Sequence, residues 1–106
     1  MNAALFKRWK ISETLLKRAH AALPRPENAD STFVGLETQF TEYVEHNEHG
    51  LAFDTLVELG DLVAPPGGFW KDLIRAAENM ELLDRIPELQ KRFDEALARK
   101  RNTGTA

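Results

Sequence analysis

The chain has 106 residues, of which 42% are hydrophobic and 29% are charged, so its composition is that of one folded domain with a modest core. It contains no cysteine, which excludes disulfides, thiolate metal sites and cysteine nucleophiles. The formal net charge of −3 hides a segregation, because nine carboxylates and no lysine or arginine lie between Arg25 and Lys71, and every basic residue lies outside that window.

The first two predicted helices lie on either side of a break at Pro24-Arg25-Pro26. In the first helix, apolar side chains at helical spacing project to one side: Leu5, Trp9, Leu16, Ala19 and Leu23. The second helix is predicted to begin after an N-cap at Ser31. Its apolar stripe consists of Phe33, Leu36, Phe40, Tyr43 and Val44.

The third helix is predicted from about Leu51 to Ala64, between a short break at His49-Gly50 and a strong one at residues 65–68. Its inner face is Ala52, Leu56, Leu59 and Val63. The fourth helix carries Phe69, Trp70, Leu73, Ala77 and Met80. The fifth carries Ile86, Leu89, Phe93, Ala96 and Leu97, with Pro87 suited to its first turn.

These patterns predict an all-α fold, a compact single-domain bundle of four to five antiparallel helices over residues 1–106, with a frayed tail at 102–106. No segment alternates with the period of a strand. The core is expected to bury Leu16, Leu36, Phe40, Leu56, Leu73 and Phe93. The amino terminus lacks an apolar signal core and no run approaches membrane-spanning length, so a cytoplasmic location is expected.

The sequence gives little support for a metal-binding or catalytic site. On one continuous helix, Glu42, His46 and His49 share a face and could present three ligands to zinc, although the spacing is not that of a zincin. The competing interpretation is that carboxylates and a helix carboxyl end stabilise exposed histidines. No nucleophile elbow or phosphate loop is present, so neither enzyme activity nor a cofactor is predicted.

The run from Phe40 to Glu58 resembles small immunity proteins of bacterial polymorphic-toxin systems, particularly the MafI type. In that family an aromatic-containing helix ends at a His/Asn/Glu cluster, before a Gly-Leu-Ala start to the next helix. The resemblance implies a short, helical, cytoplasmic protein that neutralises a toxin. It would make Glu48, Gly50, Leu51, Ala52 and Leu56 the motif positions.

Charge gives a separate indication of the same function. The acidic window would attract a cationic partner and repel nucleic acid, and a nuclease toxin has a basic groove for its substrate. The predicted partner-binding face is Glu42, Glu45, Glu48, Asp54, Glu58 and Asp61. Since no lysine or arginine stands between these acids, neutralising Asp54, Glu58 and Asp61 together is expected to leave folding intact.

Two alternatives remain at this stage. The chain could be an interaction or adaptor module in which Pro65-Pro66-Gly67-Gly68 holds Phe69 and Trp70 at the surface, beside an apolar groove. It could also be a metal-binding protein that uses Glu42, His46 and His49. Nucleic-acid and membrane partners are not expected, because the chain is acidic and the aromatic residues of the first helix fit a core stripe.

Overall fold

Five α-helices and one 3-10 turn account for the secondary structure of residues 3–104, which are the residues that the computed structural model describes, with side chains from 3 to 101. They are α1 (Ala3–Ala21), α2 (Ser31–Glu45), α3 (His49–Val63), α4 (Gly67–Asn79), the turn Leu83–Arg85, and α5 (Ile86–Gly104). The predicted all-α bundle is confirmed.

The helices alternate in direction along the chain. Helix α2 packs on α3 and α4 packs on α5, as short connections require, whereas α1 packs chiefly on α4 and only secondarily on α3. An ion pair between Arg18 and Asp72 joins α1 to α4 through two hydrogen bonds of 3.1 and 2.7 Å. Asp72 is buried, and its hydrogen bond raises the pKa of Arg18.

Helix α3 contributes five buried apolar residues to the core, second to the six of α4. Its buried apolar residues are Ala52, Phe53, Leu56, Val57 and Leu59. Of the six residues expected in the core, Leu16, Phe40, Leu56 and Leu73 are buried. Leu36 and Phe93 are partly buried and pack against that core. The helical spacing of apolar residues thus predicted correctly which side of α3 faces the core.

Phe69 and Trp70 lie inside the bundle, with 0% and 3% of their surface exposed, so the expectation of surface anchors at these positions is wrong. Their rings meet edge-on with centroids 4.8 Å apart. Gly60 makes the burial possible, because a Cβ at that position would lie 2.5 Å from Phe69 Cε1 and 2.6 Å from Trp70 Cη2. A glycine on α3 therefore admits both rings of α4.

The amino-terminal half of α1 departs from the predicted core stripe. Leu5, Phe6 and Trp9 are 42–47% exposed, and burial begins at Ser12. The cause is the length of the partner helix. Asn79, the last residue of α4, donates hydrogen bonds to the Arg8 carbonyl and to Ser12 Oγ, so the part of α1 that carries Leu5 and Phe6 extends past the end of α4, and Trp9 lies level with that end.

Three predicted boundaries shift. The N-cap of α2 is Asp30 rather than Ser31, and its carboxylate accepts from the Phe33 amide at 3.0 Å. The break before α3 falls at 46–48, so His49 and Gly50 form the first turn of α3. Helix α5 continues through Gly104, where the sequence predicted a tail, and residues 105–106 of that tail lie outside the described part.

Candidate partner-binding surface

The turn between α2 and α3 has a defined hydrogen-bonded geometry. Asn47 adopts a left-handed backbone with φ of 57°, which asparagine tolerates better than most residues. The Glu48 amide donates to the Tyr43 carbonyl at 2.8 Å and the Asn47 amide donates to the Val44 carbonyl at 3.1 Å. These two bonds form a Schellman motif, which ends α2 sharply and holds Glu48 at the tip of the hairpin.

This turn removes the basis of the predicted metal triad. Glu42 belongs to α2, His46 is its C-cap, and His49 begins α3, so the three residues do not share one helix face. His46 is exposed and its Nδ1 lies 2.7 Å from the Glu42 carbonyl, whereas His49 is buried. Within the described residues, no group of three or more histidine and carboxylate side chains is placed to hold a metal ion.

Two carboxylates of the predicted face are engaged with arginines that lie outside the acidic window. Asp54 pairs with Arg85, and both oxygens of Asp61 accept from Arg92 at 2.8 and 3.0 Å. The two members of each pair lie 31 residues apart in the sequence. The second pair lies seven residues after the first on both α3 and α5, so the two helices run parallel. The sequence suggested that no lysine or arginine neutralises these acids. That premise is wrong for Asp54 and Asp61, because the fold brings Arg85 and Arg92 to them.

The same arginines also cover buried aromatic rings. The Arg85 guanidinium lies 5.0 Å from the Phe53 ring centroid, and that of Arg92 lies 5.5 Å from the Trp70 centroid. Hydrogen bonds to Asp54 and Glu88 raise the pKa of Arg85, and the bond to Asp61 raises that of Arg92. Asp54 and Asp61 thus have a structural role, which is to hold two arginines over the core.

Replacing Asp54 and Asp61 together by asparagine should destabilise the fold by about 1 kcal/mol, since exposed ion pairs contribute roughly 0–1 kcal/mol each. Both aspartates are about half exposed, so the loss should shrink when salt screens the pairs. Urea unfolding of the unmodified protein and the double variant, at low and high ionic strength, measures this loss of stability. Glu58 is on the same helix and forms no ion pair in the described structure, so Glu58→Gln should leave the free energy of unfolding unchanged. An equal loss of stability in Glu58→Gln would contradict a role for the ion pairs.

The other four predicted residues, Glu42, Glu45, Glu48 and Glu58, are exposed, and none of them forms an ion pair within residues 3–101. By contrast, salt bridges engage Glu13, Glu37, Asp54, Asp61, Asp72, Glu81 and Glu88. Three of the four unpaired glutamates fall within seven consecutive residues at the hairpin tip. We call Glu42, Glu45 and Glu48 the tip glutamates.

Among the tip glutamates, Glu45 lies on the side of the hairpin nearer α1. Glu45 lines a shallow cleft together with Lys17, His20 and Asn47. Glu37, about two turns before Glu45 on α2, pairs with Arg25, and its carboxylate lies 3.0 Å from His20 Nε2 of α1. Asp54 and Asp61 turn instead toward α5, so the six predicted acids do not form one continuous face.

The residues that sequence reasoning missed lie beside the hairpin tip. A cleft of about 300 Å³ is bounded by the exposed start of α1, the α2–α3 turn and the end of α4. Its walls include Leu5, Trp9, His49, Asn79 and Met80. Only the pairing of α1 with the distant α4 brings these residues together, so no local pattern indicated the cleft.

Comparison with family models, with curated proteins and with solved structures gives no match to this chain. Among the described helices, none is long and apolar enough to cross a membrane. The functional interpretation therefore depends on the geometry and charge of the surfaces described above.

Proposed function

We propose that this protein is a non-catalytic immunity protein, which neutralises a toxin domain by binding a basic surface with the hairpin tip. The observation that carries the proposal is the cluster of tip glutamates, Glu42, Glu45 and Glu48, which are exposed and form no ion pair in the described structure, although Glu37, Asp54 and Asp61 on the same two helices are paired. Carboxylates without internal partners are available to arginines and lysines of another protein.

The rigidity of the tip supports this role. Glu42 and Glu45 stand on the last turn of α2, and the two hydrogen bonds of the Schellman motif fix the backbone at Asn47 and Glu48. Acids held on a fixed backbone lose less conformational entropy on binding than acids on a mobile loop. The three carboxylates can therefore meet a cationic surface without reorganisation of the hairpin.

The kind of partner follows from charge complementarity. A nuclease domain carries a basic groove because it must hold phosphates, and an acidic protuberance that enters or flanks this groove would block the substrate. The resemblance of residues 40–58 to MafI-type immunity proteins concerns the same α2–α3 hairpin. Charge and resemblance thus support one function through the same hairpin.

Replacing the tip glutamates together by glutamine should slow association with the proposed toxin domain by about tenfold at low salt, because steering by complementary charge raises association rates by tenfold or more. The difference from the unmodified protein should shrink as ionic strength rises. Surface plasmon resonance at several salt concentrations gives these rates, and growth of cells expressing the toxin reports neutralisation.

A matched control removes the same charge elsewhere. Glu78, Asp84 and Glu95 are exposed and form no salt bridge in the described structure, so their joint replacement by Gln, Asn and Gln changes the net charge equally. This control should associate at close to the unmodified rate. Equal slowing in both triple variants would show that net charge, not the tip, controls binding. An unchanged rate in the tip variant would refute the proposal.

A further inference from the structure

The amino-terminal turns of α1 carry an exposed apolar patch. Leu5, Phe6 and Trp9 keep 42–47% of their surface exposed, at and beyond the end of α4. With 3.6 residues per turn, the three side chains fall within an arc of about 100° around the helix. Adjacent exposed apolar side chains that are bordered by charged residues are typical of an interaction surface. We call Leu5, Phe6 and Trp9 the α1 patch.

Positive charge borders the α1 patch. The described residues of α1 before Glu13 include three basic side chains and no carboxylate. Among them, Lys7 forms no ion pair in the described structure, and Lys10 shares Glu13 with a second lysine. Lys10 Nζ also lies 5.7 Å from the centroid of the Phe6 ring. Lys7 and Lys10 therefore retain positive charge at the edge of the patch.

Negative charge lies beside the same patch, on the α2–α3 turn. Asn47 lines the cleft that includes Leu5 and Trp9, and it also lines a second cleft that includes Glu45. Glu48 is the next residue of the turn, and both glutamates are exposed without an ion pair in the described structure. The turn that carries these two acids therefore stands beside the start of α1.

We propose that the α1 patch is the contact between two copies of this chain related by a two-fold axis. In such a dimer every contact occurs twice, so a surface that presents both signs of charge beside an apolar patch can complement itself. The two α1 patches pack against each other. Lys7 and Lys10 of each copy meet Glu45 and Glu48 of the other copy, so every charge faces one of opposite sign.

An anionic lipid surface fits the patch less well. The exposure of Phe6 and Trp9 removes the argument that the aromatic residues of the first helix fit a core stripe. A lipid surface would attract the two lysines and accept the apolar side chains. It would also repel Glu45 and Glu48, which stand beside the same patch. A second copy of the chain uses the acids as well as the bases.

The dimer covers two of the tip glutamates, so the dimer and the toxin complex exclude each other, a consequence that rests on the proposed function. The self-association itself does not rest on it, because it is measured on the chain alone. A chain that stays monomeric would leave the toxin proposal standing, and a chain that neutralises no toxin could still dimerise.

Sedimentation equilibrium of the full chain, from about 10 µM to about 1 mM, should show a mass that rises toward twice that of the monomer, because a small interface gives weak association. Lys7→Glu with Lys10→Glu should abolish the rise, and so should Glu45→Lys with Glu48→Lys, since each double variant places like charges against each other. An equimolar mixture of the two double variants should restore the dimer, because each contact again joins opposite charges.

A matched control keeps the change in net charge and moves it to another surface. Asp84 and Glu95 are exposed and lie outside the α1 patch and the tip, so Asp84→Lys with Glu95→Lys should still dimerise. Mixed with the Lys7 and Lys10 double variant, this control should not rescue it. A monomeric unmodified chain over the whole range, or a mixture of the two double variants that stays monomeric, would overturn the proposal.

Apolar variants locate the contact on one side of α1. Phe6→Ala and Trp9→Ala should each weaken the dimer by about tenfold, the loss expected for an aromatic anchor. Ile11 is 43% exposed but lies about 160° from Trp9 around the helix, so Ile11→Ala should leave the dimer unchanged. Equal weakening in all three variants would overturn the proposal. A monomeric chain that binds phosphatidylglycerol vesicles would also overturn it, in favour of a lipid surface.

Discussion

Replacing Phe53 by alanine should lower the free energy of unfolding by about 3–5 kcal/mol, the range for truncating a buried phenylalanine. Phe53 has no exposed surface, and it packs in the cluster that unites α3 with its neighbours. The substitution also removes the ring beneath the Arg85 guanidinium, so the pair between Arg85 and Asp54 loses its support. For a domain of this size such a loss is a large share of the total stability.

Chemical denaturation measured by circular dichroism provides the check, with Phe6→Ala as the control. Phe6 is 47% exposed on α1, so its truncation should change stability by less than about 0.5 kcal/mol. Similar losses in both variants would mean that Phe53 is not the core residue described here.

Replacing Gly60 by alanine should destabilise the protein by about 1–3 kcal/mol, the usual cost of overpacking a core. The added methyl group would lie within 2.6 Å of atoms in the Phe69 and Trp70 rings, which are buried and cannot swing away. This outcome is opposite to the ordinary effect of glycine to alanine in a helix, which is a gain of roughly 0.5–1 kcal/mol.

Gly35→Ala supplies the comparison, because a Cβ at that position in α2 meets nothing within 4 Å. Gly35→Ala should therefore raise the melting temperature and Gly60→Ala should lower it, in thermal unfolding followed at 222 nm. A rise in both would show that α4 does not approach α3 closely at Gly60.

The helices were predictable because their signals are local. Leu56 and Leu59 recur at helical spacing, Pro87 fits a first turn, and residues 65–68 cannot continue a helix. Phe53 was missed because it lies at the edge of that stripe, and it becomes buried only when Arg85 and the turn before α5 cover it. Phe69 and Trp70 were predicted on the apolar stripe of the fourth helix and are buried, whereas the alternative that held them at the surface is wrong, because nothing in their own segment reveals the space left by Gly60.

The candidate surface was less predictable, since it depends on pairs distant in sequence. The bonds of Asp54 and Asp61 to Arg85 and Arg92 cross 31 residues, and a count of charges within one window cannot detect them. The grouping of His46 with His49 assumed one continuous helix, whereas the left-handed Asn47 places the two histidines on different helices. Glu42, Glu45, Glu48 and Glu58 are the part of the predicted surface that forms no ion pair within the described residues.

The pairing of α1 with α4 has a consequence for how the molecule folds. The α2–α3 and α4–α5 contacts join segments adjacent in the chain, and such contacts form early because the loops that they close are short. The contact between Arg18 and Asp72 closes a loop of more than fifty residues, so α1 has to wait until α4 is in place. We expect α1 to dock last and to detach first, and its amide protons to exchange with solvent through this partial opening while those of α3 remain protected.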